Sequence, residues 1–318
     1  IMPHIVLRNL GLEDEEFDIV VRRALGSNYC MSTDRPNFRQ MEMRWLHGLY
    51  NGTEATFDDL LTCSLLQCDL HPIFMRREDA YAITHAAMYL TDFGSHPPKQ
   101  NVELLYKFDV FSSNTAAWCL ADSDWDLLGE VLIAEEVFRS KSKEVSDVAY
   151  NVLCDLFEYH GAIPGPNYDH DIFMGHEASL RRDYLLVQGY HSTYVYGILQ
   201  CLKVQRTKGE SIEIDAAQAD YDLDLFAPRA YNELLADSEY SSWLLGATAA
   251  PFFKDQKLDR FEMFLNAKLI FHARSGMYDE SLRDIESFQQ STFESVAKTC
   301  SVAAEKIMQV ISAGAYKK

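Results

Sequence analysis

The chain has 318 residues, 47% of them apolar and 24% charged, which is the composition of an ordinary globular protein long enough for one large domain or two moderate ones. No apolar run approaches the ~20 residues that span a bilayer, which argues against a membrane span. A formal net charge of −19, with no local cluster of lysines and arginines to offset it, repels a phosphate backbone and argues against nucleic-acid binding.

Taken in order, the chain reads as helix after helix. Apolar residues recur at intervals of three and four in Asp58-Asp-Leu-Leu-Thr-Cys-Ser-Leu-Leu-Gln67, with Thr56 standing where an N-cap would. The next segment, Glu78 to Asp92, is stopped by Gly94 and then Pro97-Pro98. At ~100° per residue its Tyr81, His85, Tyr89 and Asp92 fall on one stripe. Helices follow over 125–138, with Ser123 as the expected cap, and over 145–159, ended by Gly161 and by Pro164-Gly-Pro166. Residues 161–177 read as a long loop carrying Tyr168, His170 and His176.

The helix beginning at Asp183 is apolar on most sides and yet carries Gln188, Tyr190, His191, Ser192, Thr193 and Tyr194. Its Gly197 invites a close helix contact. Residues 208–224 hold six carboxylates and read as an acidic surface segment or linker. The short alternating run Ser211-Ile-Glu-Ile214 is too isolated to build a sheet. Further helical patterns cover 258–272 and 281–315. Roughly twelve to fourteen helical segments of ~10–20 residues result. The expectation is a single all-α domain over 1–318, with a possible internal boundary near 205–225. Helical hairpins would be arranged as an α/α barrel (toroid) or an irregular bundle.

The seven cysteines (30, 63, 68, 119, 154, 201 and 300) are odd in number and mostly embedded in apolar helical sequence. They read as reduced thiols of a cytoplasmic protein, and no secretory leader pattern opens the chain. Recognisable dinucleotide, P-loop and G-x-S-x-G hydrolase motifs are missing, so no cofactor is expected. His176-Glu177 lacks the second histidine of a zinc helix, and the runs 122–126 and 220–224 lack the glycine and glutamate of a calcium loop. No metal is therefore assigned, although His160, His170 and His176 lie close enough in sequence to be gathered around one. Asp58-Asp59 at a helix head is similar to the aspartate-rich segment of helical terpene synthases, but Thr62 stands where another carboxylate is wanted.

Two stripes are left that carry chemistry. A carboxylate near an imidazole holds its tautomer and raises its basicity, so the pair can move a proton near neutral pH. His85, His191, Asp92 and Tyr89 are the catalytic candidates on that ground, with Tyr81, Gln188, Tyr190 and Tyr194 as substrate-binding groups. The stretches Thr84-His85 to Asp92-Phe-Gly94 and Gln188-Gly-Tyr190-His191-Ser-Thr-Tyr194 resemble uncharacterised all-helical proteins of actinobacteria, which bring no activity with them. The expected function is a cofactor-independent biosynthetic enzyme acting on a small metabolite in an aromatic-lined cavity. Its chemistry would be a cyclisation, elimination or isomerisation in specialised metabolism. The alternative is a non-catalytic helical protein that binds a partner or peptide, a homo-oligomer, or one subunit of a heteromeric enzyme.

Overall fold

The computed structural model describes residues 1–30, 32, 34–68, 75–96, 102–138, 144–208 and 278–289, with a few single positions beyond them. The elements are α1 Met2–Asn9, α2 Glu15–Leu25, α3 Asn37–Asn51, α4 Asp58–Leu61, a 3-10 turn at Leu65–Gln67, α5 Arg77–Leu90 and α6 Val102–Asp122, continuing with α7 Trp125–Phe138, α8 Glu144–His160, α9 His170–Gly175, α10 Ala178–Lys208 and α11 Tyr278–Gln289. The fold is all-α, with no strand among the described residues. None of the described helices is long and apolar enough to cross a membrane. The acidic segment 210–224, the run 211–214, most of 258–272 and the boundary expected near 205–225 lie outside the described residues.

Two compact units emerge, one of Ile1–Asp69, Arg76–Phe108 and Glu136–Ser140, the other of Leu70–Met75, Asp109–Glu135 and Lys141–Lys318. In the first, Asp14 accepts the Phe17 N–H at 2.9 Å and caps α2, whose first turn is acidic and whose last is basic, as the helix dipole favours. Ile5, Val21, Leu25 and Leu46 form a core where α1, α2 and α3 meet. Beside it Asp18 accepts hydrogen bonds from Tyr50 at 3.0 Å and Arg22 at 2.7 Å. Burial pushes the Asp18 carboxyl up, but its bonds to Tyr50, Arg22 and His4 and the charge of Arg8 outweigh this and hold it below the usual range. α3 packs on α1 and on α5.

In the second unit, α7 has no exposed face over Trp125–Glu135, the pattern of a helix covered on every side. α8 meets α10 through the stacked rings of Phe157 and Tyr196, 5.1 Å apart, and a Tyr150 hydroxyl donating to Gln200 at 2.8 Å. The 163–165 loop lies directly on α10. A Cβ on Gly189 would come within 2.7 Å of the Ile163 carbonyl oxygen, and the Ile163 N–H donates to Thr193 Oγ1 at 2.9 Å.

Local expectations need four corrections. Residues 58–67 do not form one helix; α4 stops at Leu61 and a 3-10 turn follows, where Ser64 accepts the Leu66 N–H. Neither Thr56 nor Ser123 is a cap: Phe57 precedes α4, and Asp124 accepts the Leu127 N–H in α7 while Ser123 turns left-handed at φ 55°. The loop 161–177 contains a helix of its own, α9, capped by Asp169. Gly197 faces open space, whereas Gly129, Gly165 and Gly189 are glycines at which a Cβ would collide with a neighbouring segment. Gly161 does end α8, with φ 68°.

Candidate functional sites

The sequence-expected residues divide between the units, Tyr81, His85, Tyr89 and Asp92 belonging to the first and Gln188, Tyr190, His191 and Tyr194 to the second. On α5 the expected stripe is present as a ladder of rings, Tyr81 to His85 at 5.8 Å, His85 to Tyr89 at 6.1 Å and Tyr89 to Phe93 at 5.9 Å. Phe38 and Trp45 of α3 flank it, at 5.5 Å from His85 and 5.6 Å from Tyr89, and Arg77 lies over the Tyr81 ring. His85 Nδ1 is 2.8 Å from the Tyr81 carbonyl oxygen. A carbonyl only accepts, so Nδ1 is the donor in this bond.

Asp92 does not orient His85. Its Oδ1 accepts the Trp45 indole N–H at 2.6 Å, and its Oδ2 lies 3.8 Å from His96 Nδ1. The reason is the turn that ends α5. Thr91 donates back to the carbonyls of Ala87 and Met88, and Asp92, Phe93 and Gly94 then run through φ values of 47°, 51° and 88°. For Phe93 that left-handed conformation costs ~1–2 kcal/mol, while an aspartate adopts it more readily. The turn places Asp92, His96 and Tyr89 with Trp45, Glu54 and Phe57 around a cleft of about 450 Å³, within the ~300–1,000 Å³ range of small-molecule sites. His96 and Glu54 are additions that spacing on the helix did not single out, because both lie on the loops that follow helices.

On α10 the picture differs from the expectation of an enclosed aromatic lining. Tyr190 and Tyr194 are 65% and 67% exposed, and with Leu186 and Val187 they form an apolar stripe on the helix surface. Gln188 is half-buried where α10 meets the 163–165 loop. His191 alone of that set joins a polar cluster. Its Nδ1 lies 2.7 Å from Asp126 Oδ1, which also accepts the Ser192 hydroxyl at 2.9 Å. Asp126 and Glu130 sit one turn apart on α7 and are only 6% and 3% exposed. A Cβ at Gly129 would come within 2.7 Å of Val195 Cγ1, so the glycine between the two carboxylates is what lets α10 approach. Donor atoms of Asp126, Glu130 and His191 all lie within 4.8 Å of one another, the one group of three such residues among those described. Sequence alone did not single out this pair, because α7 carries four carboxylates, Asp126, Glu130, Glu135 and Glu136, and spacing does not say which of them meets an imidazole.

The loop histidines do not form such a group among the described residues. His160 packs edge-on to Tyr159 and Tyr168, while Tyr168 bonds His170 at 3.2 Å and His176 packs on Tyr184. Burial first, and the charge of His170 second, push the His160 pKa down to about 4, so the ring is neutral in the folded protein.

Residues 1–201 match the model of a family described as a domain of unknown function, DUF6895. The chain belongs to this family. The matched stretch contains both the cleft and the Asp126–Glu130–His191 cluster. No curated protein and no solved structure matches the chain. The resemblance to helical proteins of unassigned function therefore holds, with no characterised family behind it.

Proposed function

We infer that this member of DUF6895 is an enzyme acting on a small metabolite by general acid–base chemistry in a reducing, cytoplasmic setting, and that the cleft at the end of α5 is its reaction site. One observation carries the reading. Asp92 and Phe93 are two consecutive non-glycine residues held left-handed, and Asp92 is clamped by Trp45 on the cleft wall. Strain of this kind persists only where the surroundings over-determine it, and it concentrates where chemistry or binding needs a side chain aimed. The 3.8 Å between Asp92 and His96 is an ion-pair distance, too long for a hydrogen bond. It leaves room for a substrate proton to pass between the two groups, with Tyr89 as a positioning or donating phenol. His85 acts at one remove, as packing behind Tyr89. The six described cysteines are all free thiols, which accords with a reducing compartment.

The test is conversion of small molecules from fractionated cell extracts in D₂O, followed by mass spectrometry. A compound should be isomerised, cyclised or dehydrated, with deuterium gained where the proton is exchanged. That conversion should be lost in Asp92→Asn and His96→Gln proteins whose circular dichroism is unchanged. Undiminished conversion in both variants overturns the assignment of the site, and no conversion by folded wild type in any fraction overturns the enzyme reading.

A second reading is favoured by the exposed stripe of Leu186, Val187, Tyr190 and Tyr194. Apolar surface of this kind suits a helical partner, so the chain would be a non-catalytic binding protein, a homo-oligomer or one subunit of a larger enzyme. Under it, Tyr190→Lys with Tyr194→Lys lowers the mass measured by light scattering, whereas a wild type that is monomeric and captures no helical partner sinks it.

A further inference from the structure

We propose that Asp126, Glu130 and His191 bind one divalent transition-metal ion. The inference goes beyond the acid–base reading and does not rest on it, since it concerns the second unit and a different set of residues. Two carboxylates from adjacent turns of one helix and an imidazole from another converge so that their donor atoms lie within 4.8 Å of each other. The closest pair, His191 Nδ1 and Asp126 Oδ1, is 2.7 Å apart. That contact is a hydrogen bond, and a bound metal ion would displace its proton and take the place of the bond.

Burial supplies the second argument. Both carboxylates are more than nine-tenths buried, on a helix with no exposed face along that stretch. Carboxylates removed from water are paired or hold metal ions, and a divalent cation among these two would be attracted strongly in a medium of reduced polarity. The His191 side chain is 54% exposed, so the cluster is reached from solvent and three protein donors leave further coordination positions for water. Access from one side is what separates a working ion from a sealed structural one.

Donor chemistry narrows the ion. All-oxygen shells suit magnesium and calcium, whereas one imidazole with two carboxylates suits zinc, manganese or ferrous iron. The Ser192 hydroxyl on Asp126 Oδ1 is then a supporting contact that orients a ligand. A zinc ion held by these residues would lower the pKa of a bound water towards neutrality and so would give the second unit a nucleophile.

The experiment is calorimetric titration of the metal-stripped full chain with Zn²⁺ and with Mn²⁺, alongside Glu130→Gln, His191→Ala and Asp126→Asn. Wild type should bind one equivalent of Zn²⁺, and each variant should lose more than about 100-fold in affinity, beyond the loss typical of groups that merely support a ligand. Co²⁺ substitution should give weak visible bands without the intense thiolate charge-transfer absorption that a cysteine site would produce. His191→Ala alters a half-exposed side chain and serves as the variant that keeps its fold, checked by circular dichroism. Wild type without a stoichiometric site, or variants that bind as tightly as wild type, overturn the proposal. A thiolate band at one equivalent does so as well, by moving the ion to a cysteine.

Discussion

α5 and α7 both carry polar side chains on mostly apolar helices, and they satisfy them in opposite ways. α5 buries Ala80, Ile83, Ala86 and Ala87 while Tyr81 and His85 stay half-buried, and His85 is met by the carbonyl one turn back on the same helix. α7 is buried throughout Trp125–Glu135, and Asp126 is met by His191 and Ser192, 65 and 66 residues further along the chain. A polar group on a half-open helix is cheap to keep and says little about function. On a helix closed all round it costs ~1–3 kcal/mol unless paired, and its partners must be brought from elsewhere in the fold.

The sharpest way to break this contrast is to disturb the packing that brings α10 into place. Gly189→Ala forces a Cβ against a backbone carbonyl that cannot move alone, and an urea melt should show a loss of about 3 kcal/mol or more. Acidification tests the second unit in another way. Because the folded pKa of His160 lies at about 4 against 6.5 for the free side chain, the unfolded chain binds the extra proton between those values. Stability is therefore complete above pH 6.5 and falls as pH drops through that window, by on the order of 3 kcal/mol for this residue. Urea midpoints at pH 7 and pH 4.5 measure it, and His160→Phe should flatten the difference.

Asp126→Ala removes the carboxylate that accepts the buried Ser192 hydroxyl and meets His191, and thermal melts should register about 2 kcal/mol. His85→Ala, by contrast, truncates a half-buried ring rather than a buried carboxylate, so its loss should be the smaller of the two. If it is larger, the contrast between α5 and α7 fails. The smallest expected effect has the opposite sign. Gly197 is exposed with open space where a Cβ would sit, so Gly197→Ala should stabilise α10 by up to ~1 kcal/mol. Together with Gly189→Ala it separates a glycine the packing requires from one it does not.

Periodicity alone identified α5, α7, α8 and α10 to within a few residues at most ends, because each is long and its apolar spacing is a local property. The α5 ladder of Tyr81, His85 and Tyr89 was legible for the same reason: residues three and four apart on a helix are neighbours whatever the rest of the chain does. Asp92, expected at the end of that stripe beside His85, leaves it and meets other partners. The helix ends before it, and the left-handed turn swings its carboxylate to Trp45 and His96. The exposed positions of Tyr190 and Tyr194 were not legible, since an aromatic residue at helical spacing looks alike whether it faces a cavity or solvent.

What the amino-acid sequence determined by itself is the helical class, the position of the main helices and the identity of the polar residues set into apolar stretches, all of which follow from contacts within four or five residues. The tertiary structure decided which polar groups meet. Only the packing of α7 on α10, permitted by a missing side chain at Gly129, brings His191 to Asp126 and Glu130, and only the turn after Leu90 puts Asp92 at a cleft. Both depend on the distance between segments far apart in the chain, which no spacing within one segment encodes.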